Sequence, residues 1–288
     1  MANRESMQSQ MGIGAEIIEQ VWERLMPYEL PRLREMPSER IVVIRGSYDN
    51  VEQILRNAKI PHLTTSVFPK SKEIEQGGRY QDCRIMFVNC DEHYHDSLEN
   101  KGLTSANKPS IVDFVNQGGR LITTDWAQKV VGYLFGNLTA RTGVLPESVV
   151  EINFPSQIGQ DLLGINYTNA RPKWWIECSS DAITPKKGCG IVELITSNEL
   201  KKQQGSKYIA VGFKQGGGEA FHFVSHLVAQ KFRDDNARDN QNLQAFLDQT
   251  GTKLKGKKGK YVSFGGIETT YTLMNTVLEL VRKDPILK

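Results

Sequence analysis

Short apolar runs alternate with stretches of helical spacing through the middle of the chain. Residues 41–44 are four β-branched side chains in succession, and such a run is typical of a strand buried on both faces. Further strand patterns lie at 62–68, 84–90 and 120–124, and helical patterns lie at 51–55, 109–117 and 126–135. Strands that alternate with helices predict a parallel sheet with right-handed crossovers. We therefore expect an α/β fold in three layers, with helices on both faces of a mostly parallel central sheet.

The strand patterns return after residue 190, at 190–195, 208–213 and 219–224. Three glycines, Gly216 to Gly218, separate the last two, and glycine supplies the positive φ that a tight hairpin requires. A phosphate-binding loop is disfavoured, because no helix follows the glycines and the Lys-Ser or Lys-Thr pair of such loops is missing. The last two strands are therefore expected to form a hairpin.

Residues 137–185 interrupt this regularity. They contain four prolines and one strand pattern, at 174–178. We interpret the segment as an excursion from the core whose strands the pattern does not place. Trp174 and Trp175 offer aromatic faces for a base or a sugar, but adjacent strand residues face opposite ways, so burial of at least one in the core is favoured.

Both ends of the chain carry helical patterns. Apolar residues recur every four positions at 13–26 and every three or four at 267–282, which predicts two amphipathic helices. We divide the chain into an N-terminal helical arm (1–40), a core (41–233) and a C-terminal helical segment (234–288). A short helix is marginal unless its apolar stripe is buried. We therefore expect the arm to pack on the C-terminal helix, on a partner protein or on a second copy.

The composition of the 288 residues is that of a globular protein. The net charge of +3 does not require a nucleic-acid partner, and the lysine-rich run at 253–260 is typical of a solvated loop. No apolar stretch approaches the ~20 residues that span a bilayer, and the N-terminus shows no signal-peptide pattern. The four cysteines form no CxxC pair, which favours reduced thiols. These features predict a cytoplasmic protein, and we predict no cofactor.

Candidate chemistry lies where the predicted parallel strands end, because ligands of open α/β sheets bind at the carboxyl ends of the strands. At that edge we select three candidate catalytic residues, Cys90, Asp125 and His226. The same strand ends carry four candidate ligand-binding residues, which are Tyr48, Asp91, His93 and Trp126.

Each candidate catalytic residue also has a simpler interpretation. Asp125 is a possible nucleophile or base, yet an aspartate after a strand is more often the N-cap of the next helix. His226 is either an acid–base partner of the other two or an ordinary hydrogen-bonded histidine. Cys90 is the best-placed thiol, but free cysteines are usually buried and inert.

The loop after the third strand raises the question of a metal. Asp91, His93, His95 and Asp96 are metal-ligand types, and a His-x-His pair on an extended segment points both rings the same way. Without a further distant ligand, a solvated loop is favoured. We therefore predict no metal site.

The predicted elbow after the fourth strand reads Thr-Thr-Asp125-Trp-Ala, and the last strand leads into Ser-His226-Leu-Val. These two stretches resemble the class I glutamine amidotransferases and their ThuA-like relatives, which share a flavodoxin-like fold. In that family the elbow carries cysteine in Gly-x-Cys-x-Gly, and the late strand supplies His-Pro-Glu. The resemblance implies that Asp125 stands at the nucleophile's place and that His226 matches the histidine. The elbow glycines and the glutamate are missing, which implies a pseudoenzyme.

The stretch 208–230, together with Phe-Val-Asn-Cys90 and Gly-Gly-Arg-Leu121, is similar to a bacterial branch associated with MoxR-type ATPases and von Willebrand A-domain proteins. The similarity covers about residues 41–230. It implies a non-catalytic or altered subunit that acts as a sensor or scaffold in such a multi-protein system. A defence system is one candidate for this role, and a homo-oligomer is one candidate for the quaternary structure. The alternative is a hydrolase of a small amide, ester or sugar that uses Asp125, His226 and Cys90.

Overall fold

A seven-stranded sheet forms the centre of the molecule. The structure, a computed structural model, describes residues 16–17, 19–24, 27–141, 143–159, 173–227, 247–248 and 251–253. Its strands are β1 (Ile41–Ile44), β2 (Leu63–Thr65), β3 (Ile85–Val88), β4 (Arg120–Thr124), β5 (Leu138–Arg141), β6 (Ser148–Glu151), β7 (Lys173–Ile176), β8 (Ala182–Pro185), β9 (Val192–Thr196), β10 (Tyr208–Gln215) and β11 (Gly218–Phe223). The central sheet has the order β2-β1-β3-β4-β11-β10-β9.

Short helices connect the strands. They are α1 (Glu29–Arg34), α2 (Val51–Asn57), α3 (Ser71–Ile74), α4 (His93–Asp96), α5 (Lys108–Asn116), α6 (Gln128–Phe135) and α7 (Asn198–Gln204), with 3-10 turns at Ser38–Arg40, Leu98–Lys101 and Asp125–Ala127. Residues 16–17 and 19–24 are also helical. Within the described ranges, no helix has the length and apolar character needed to cross a membrane.

The predicted α/β class with a mostly parallel central sheet is confirmed. β2, β1, β3, β4 and β11 run parallel, and β10 is antiparallel to both β11 and β9. Every residue of β1, β3, β4 and β11 is buried, as expected of strands covered on both faces. The carboxyl ends of these four strands consequently meet at one edge of the sheet.

The hairpin predicted at the three glycines joins β10 to β11. Gln215 pairs with Gly218, and Gly216 at the turn has a φ of +59°. A Cβ on Gly218 would collide with the main-chain carbonyls of Val115 and Gly119. The turn geometry and the close approach of the neighbouring loop therefore both require glycine here.

The excursion at 137–185 builds two small antiparallel sheets outside the central one. β5 pairs with β8, and β6 pairs with β7. Trp174 and Trp175 on β7 are each only 4% exposed, so both tryptophans serve the core rather than an open stacking surface. The end of β7 leads directly to the edge of the sheet where β11 ends.

The N-terminal helical residues belong to the core of the same chain. Ile17, Val21 and Trp22 are at most 1% exposed, and Glu19 pairs with Arg34 on α1 at 2.6 Å. The chain itself buries these three side chains, so their burial requires neither a partner nor a second copy. The predicted helix at 267–282 and the lysines after position 253 lie outside the described residues.

Candidate functional site

Three of the selected side chains meet at the carboxyl edge of the sheet. Cys90 follows β3, Asp125 follows β4 and His226 lies just beyond β11. The Sγ of Cys90 lies 3.4 Å from Oδ2 of Asp125, and Nε2 of His226 lies 3.4 Å from the same oxygen. All three residues are buried, at 3% exposure or less. The predicted proximity of Asp125 and His226 at this edge is therefore confirmed.

Asp125 occupies a strained elbow between β4 and α6. Its φ is +45°, in the left-handed region that aspartate tolerates better than most residues. The N-cap of α6 is Ala127, and the carboxylate of Asp125 faces the thiol and the imidazole instead. The interpretation of Asp125 as a helix N-cap is therefore wrong. Burial raises the pKa of this carboxyl, although hydrogen bonds from its two neighbours oppose the shift.

Cys90 is fixed by both its backbone and its side chain. Its main-chain N–H donates to Oγ1 of Thr124 at 3.1 Å, and its S–H donates to Asp125. A Cβ on Gly46 would collide with the carbonyl of Cys90, so glycine allows the loop after β1 to approach. Burial raises the pKa of the Cys90 thiol to about 12. The group is therefore a protonated thiol at neutral pH.

A fourth side chain, Glu177, completes the cluster. Its Oε2 lies 2.5 Å from Nδ1 of His226. Burial alone would lower the pKa of this histidine, but hydrogen bonds to the two carboxylates and the thiol outweigh burial and hold the pKa well above its usual value. A carboxylate from the end of β7 thus lies beside the imidazole of His226.

Sequence reasoning missed Glu177 and Asp49. Glu177 follows the tryptophan pair of the excursion, and no spacing rule links it to His226. Asp49 is fully buried, and its Oδ2 accepts a hydrogen bond from the main-chain N–H of Leu227 at 3.1 Å. Asp49 therefore holds the segment that carries His226 against the end of β1.

Tyr48 and Trp126 cover the buried cluster. The ring of Tyr48 is parallel to the imidazole of His226, with centroids 6.4 Å apart, and meets the indole of Trp126 edge-on at 5.3 Å. The indole N–H of Trp126 donates to the carbonyl of Ser179 at 2.9 Å. Tyr48 is 43% exposed. The two rings therefore form the outer layer of the site, and their assignment as ligand-binding residues stays a prediction.

The other two ligand-binding candidates are engaged with each other. Nδ1 of His93 lies 2.7 Å from Oδ1 of Asp91, and the ammonium of Lys101 lies 3.0 Å from Oδ2. Although burial acts to raise it, the pKa of Asp91 is held below its usual value by the N–H of His93 and the ammonium of Lys101. A lysine thus occupies the position that a bound cation would take.

The His-x-His pair does not lie on an extended segment, so that expectation is wrong. His93 and His95 belong to the helical turn α4, and the ring of His95 contacts Trp126 with a centroid distance of 4.0 Å. The ring of His93 contacts Asp91 and the ring of His95 contacts Trp126, so the two rings do not converge on one point. Among the described residues, the group with metal-ligand geometry is instead Cys90, Asp125 and His226.

Comparison with known proteins identifies the fold. The sequence matches no family model and no curated protein. A glutamine amidotransferase from Methylobacillus flagellatus is similar over 84% of this chain and 95% of its own, with 11% identity and a TM-score of 0.51. One from Thermotoga maritima is similar over 86% and 100%, with 10% identity and a TM-score of 0.50. A ThuA-like protein from Bacteroides uniformis is similar over 87% and 94%, with 10% identity and a TM-score of 0.47. At such identities the likeness describes the architecture, and the fold of this chain is that of the glutamine amidotransferases.

Proposed function

We propose that the chain is a non-catalytic or catalytically altered amidotransferase-like subunit, which senses a ligand or holds partners together in a bacterial multi-protein system of the cytoplasm. One observation carries the proposal. The elbow between β4 and α6, where an amidotransferase needs its thiol, holds the carboxylate of Asp125 at a φ of +45°.

The nearby thiol does not replace the missing nucleophile. Thioester chemistry needs a thiolate that faces both its base and the substrate carbonyl. Cys90 lies on the neighbouring strand end, has no exposed surface, and directs its S–H at the carboxylate of Asp125. A carbonyl carbon has no approach to Sγ in this arrangement. The geometry therefore favours a site that binds over one that cleaves amides.

A glutaminase assay tests the loss of thiol chemistry. We expect no ammonia release from glutamine above the level of the Cys90→Ala variant, because the elbow offers no thiolate. Cys178→Ala is the matched control, since the thiol of Cys178 is exposed and outside the cluster. Ammonia release that disappears in Cys90→Ala and persists in Cys178→Ala would contradict the proposal.

The partners of the proposed assembly come from sequence resemblance. They are a MoxR-type ATPase and a von Willebrand A-domain protein, with self-association as a further possibility. Sedimentation of the purified chain, alone and mixed with both proteins from the same genome, tests them. A faster-sedimenting species that contains all three proteins supports the scaffold role. Unchanged boundaries of the separate proteins in every mixture would argue against it.

A hydrolase remains the second candidate because the elbow and the His226–Glu177 pair form a nucleophile–base–carboxylate series. Oδ2 of Asp125 would attack an acyl or sugar carbon, and the leaving group would depart with the Nε2 proton of His226. The neutral imidazole would then activate water to hydrolyse the resulting acyl anhydride or glycosyl ester, which restores the carboxylate of Asp125 and the proton on His226. A panel of small esters and glycosides tests this route. Turnover that is lost in both Asp125→Asn and His226→Gln would favour the hydrolase over the binding subunit.

A further inference from the structure

The buried cluster brings together three different metal-ligand atoms. One atom from each of Cys90, Asp125 and His226 can be chosen so that all lie within 4.8 Å of one another. Sulfur, imidazole nitrogen and carboxylate oxygen are the three donor types that zinc takes in proteins. Each donor lies just beyond a different strand of the central sheet, so a rigid element supports every one of them.

Two of the three separations match those of a tetrahedral ion. With bonds of about 2.3 Å to sulfur and about 2.0–2.2 Å to nitrogen or oxygen, ligand atoms around zinc lie roughly 3.3–3.6 Å apart. The Sγ of Cys90 and the Nε2 of His226 each lie 3.4 Å from Oδ2 of Asp125. The third separation, between Sγ and Nε2, is within 4.8 Å, so side-chain rotation would bring the three atoms around one ion.

Glu177 supplies a second, independent observation. Its Oε2 lies 2.5 Å from Nδ1 of His226, which directs the other ring nitrogen, Nε2, at the cluster. A histidine that binds a metal almost always gives its second ring N–H to a carboxylate or carbonyl, which fixes the tautomer and the ring orientation. The carboxylate–histidine arrangement of zinc sites is thus present in the described residues.

Charge balance also favours a divalent ion in this position. Metal binding displaces the protons of its ligands, so a bound site would hold a thiolate, a carboxylate and a neutral imidazole, with two negative charges on residues that are almost fully buried. A divalent cation neutralises these two charges, and the third carboxylate, that of Glu177, is 30% exposed to solvent. A monovalent cation would leave one charge unbalanced, and soft sulfur ligation disfavours magnesium and calcium.

We propose that Cys90, Asp125 and His226 bind one divalent transition-metal ion of the zinc type, with Glu177 orienting His226. Three protein ligands leave a fourth position for water or for a small ligand, and the partly exposed ring of Tyr48 covers the entrance. This inference rests on the proposed function: if the site binds a ligand instead of catalysing thiol chemistry, the metal ion is that ligand.

Zinc titration of the full chain tests the proposal. Metal is first removed from the chain with a chelator. The metal-free chain and a chromophoric chelator then compete for added zinc. We expect one tight site per chain, weakened about 10–100-fold in Glu177→Gln and more strongly in Cys90→Ser and His226→Gln. Cys178→Ser and His62→Gln are matched controls for a thiol and a histidine outside the cluster, and both should bind as the wild type does.

Cobalt reports directly on sulfur ligation. Co²⁺ bound in place of zinc should give a thiolate-to-cobalt charge-transfer band and the intense visible bands of a tetrahedral ion. Both sets of bands should be absent in Cys90→Ser and present in Cys178→Ser. Zinc should raise the melting temperature of the wild type and of both controls, since an ion that binds only the folded state stabilises it.

Two results would overturn the metal site. One is the absence of any stoichiometric zinc or cobalt binding by the folded wild type. The other is equal zinc affinity in wild type, Cys90→Ser and His226→Gln, each shown to be folded by circular dichroism. Neither result changes the outcome expected in the glutaminase assay. Glutaminase activity, in turn, would contradict the proposed function without changing the zinc or cobalt measurements.

Discussion

At the scale of single residues, two buried histidines four positions apart meet opposite surroundings. His222 on β11 is fully buried, and its Nδ1 lies 2.9 Å from Oγ1 of Thr123. The hydroxyl of Thr123 donates to the carbonyl of Phe221 at 3.2 Å. Its oxygen can therefore accept a hydrogen bond from the Nδ1–H of His222. No carboxylate offsets the burial, which lowers the pKa of His222 to about 3. His226 is equally enclosed but has two carboxylates beside it, and its pKa shifts upward.

The buried neutral His222 predicts acid sensitivity. Its folded-state pKa lies below the unfolded value of about 6.5, so unfolding takes up a proton once the pH falls below that value. We expect this group to lower the free energy of unfolding as the pH falls from 6.5 to 5, with a slope that approaches about 1.4 kcal/mol per pH unit at the lower end. The raised pKa of His226 acts in the opposite direction and only weakly there, since its contribution is almost fully present below its unfolded pKa and is lost at higher pH.

Urea denaturation of wild type, His222→Asn and His62→Asn at pH 7, 6 and 5 measures this contribution. As the pH falls, the free energy of unfolding should decrease more in the wild type than in His222→Asn. His62→Asn removes a half-buried histidine elsewhere in the chain and serves as the matched control. An identical slope in all three proteins would mean that His222 already carries a proton when folded.

At the scale of elements, the strands that the sequence pattern predicts best are those buried on both faces of the sheet. Strands such as Ile41–Ile44 and Ile85–Val88 are continuous apolar runs, so their pattern alone predicts them. The four strands of the excursion contain four residues each and pair only two by two. Only β7 overlaps a strand pattern of the sequence, at 174–178, because the other three strands have mixed burial and carry no continuous apolar run.

The same distinction applies to the candidate site. Strand ends predict that Cys90, Asp125 and His226 share an edge, because parallel strands align those ends. Glu177 reaches His226 only through tertiary packing. The indole of Trp174 donates to Oγ of Ser225 at 2.7 Å, and this hydroxyl donates to the carbonyl of Trp175 at 3.0 Å. These contacts join β7 to the end of β11, and no local spacing encodes them.

The elbow after β4 makes a prediction about backbone strain. A Cβ in the left-handed region costs about 1–2 kcal/mol, whereas glycine in ordinary structure is about 0.5–1 kcal/mol worse than alanine. At Asp125, with its φ of +45°, the order should reverse. We expect Asp125→Gly to be about 1 kcal/mol more stable than Asp125→Ala. Both variants remove the carboxylate, so the difference isolates the backbone.

Urea denaturation of the two metal-free variants measures that difference. The corresponding glycine and alanine variants at Asp113, inside α5, provide the ordinary case, in which alanine should be the more stable of the two. If alanine were the more stable residue at position 125 as well, the elbow would not have the left-handed backbone that places its side chain over the edge of the sheet.

At the scale of the whole molecule, the N-terminal helical residues and the sheet form one core. Ile17, Val21 and Trp22 belong to the same cluster of buried apolar residues as β1 and β3. Near the other end of the chain, a Cβ on Gly251 would collide with the guanidinium of Arg24. Segments from both ends thus lie against each other, and the division at residue 40 marks a change of pattern rather than a break in packing.

This shared core predicts that the N-terminal helix supports the stability of the chain rather than an assembly. Ile17→Ala removes a fully buried side chain and should lower the free energy of unfolding by about 2–5 kcal/mol. Tyr28→Ala, at a position that is 79% exposed, should stay within about 0.5 kcal/mol of wild type. Chemical denaturation gives both values, and sedimentation of the folded proteins should give the same mass for all three. A smaller mass for Ile17→Ala together with an unchanged unfolding curve would show the reverse, that the stripe is buried against a second chain in solution.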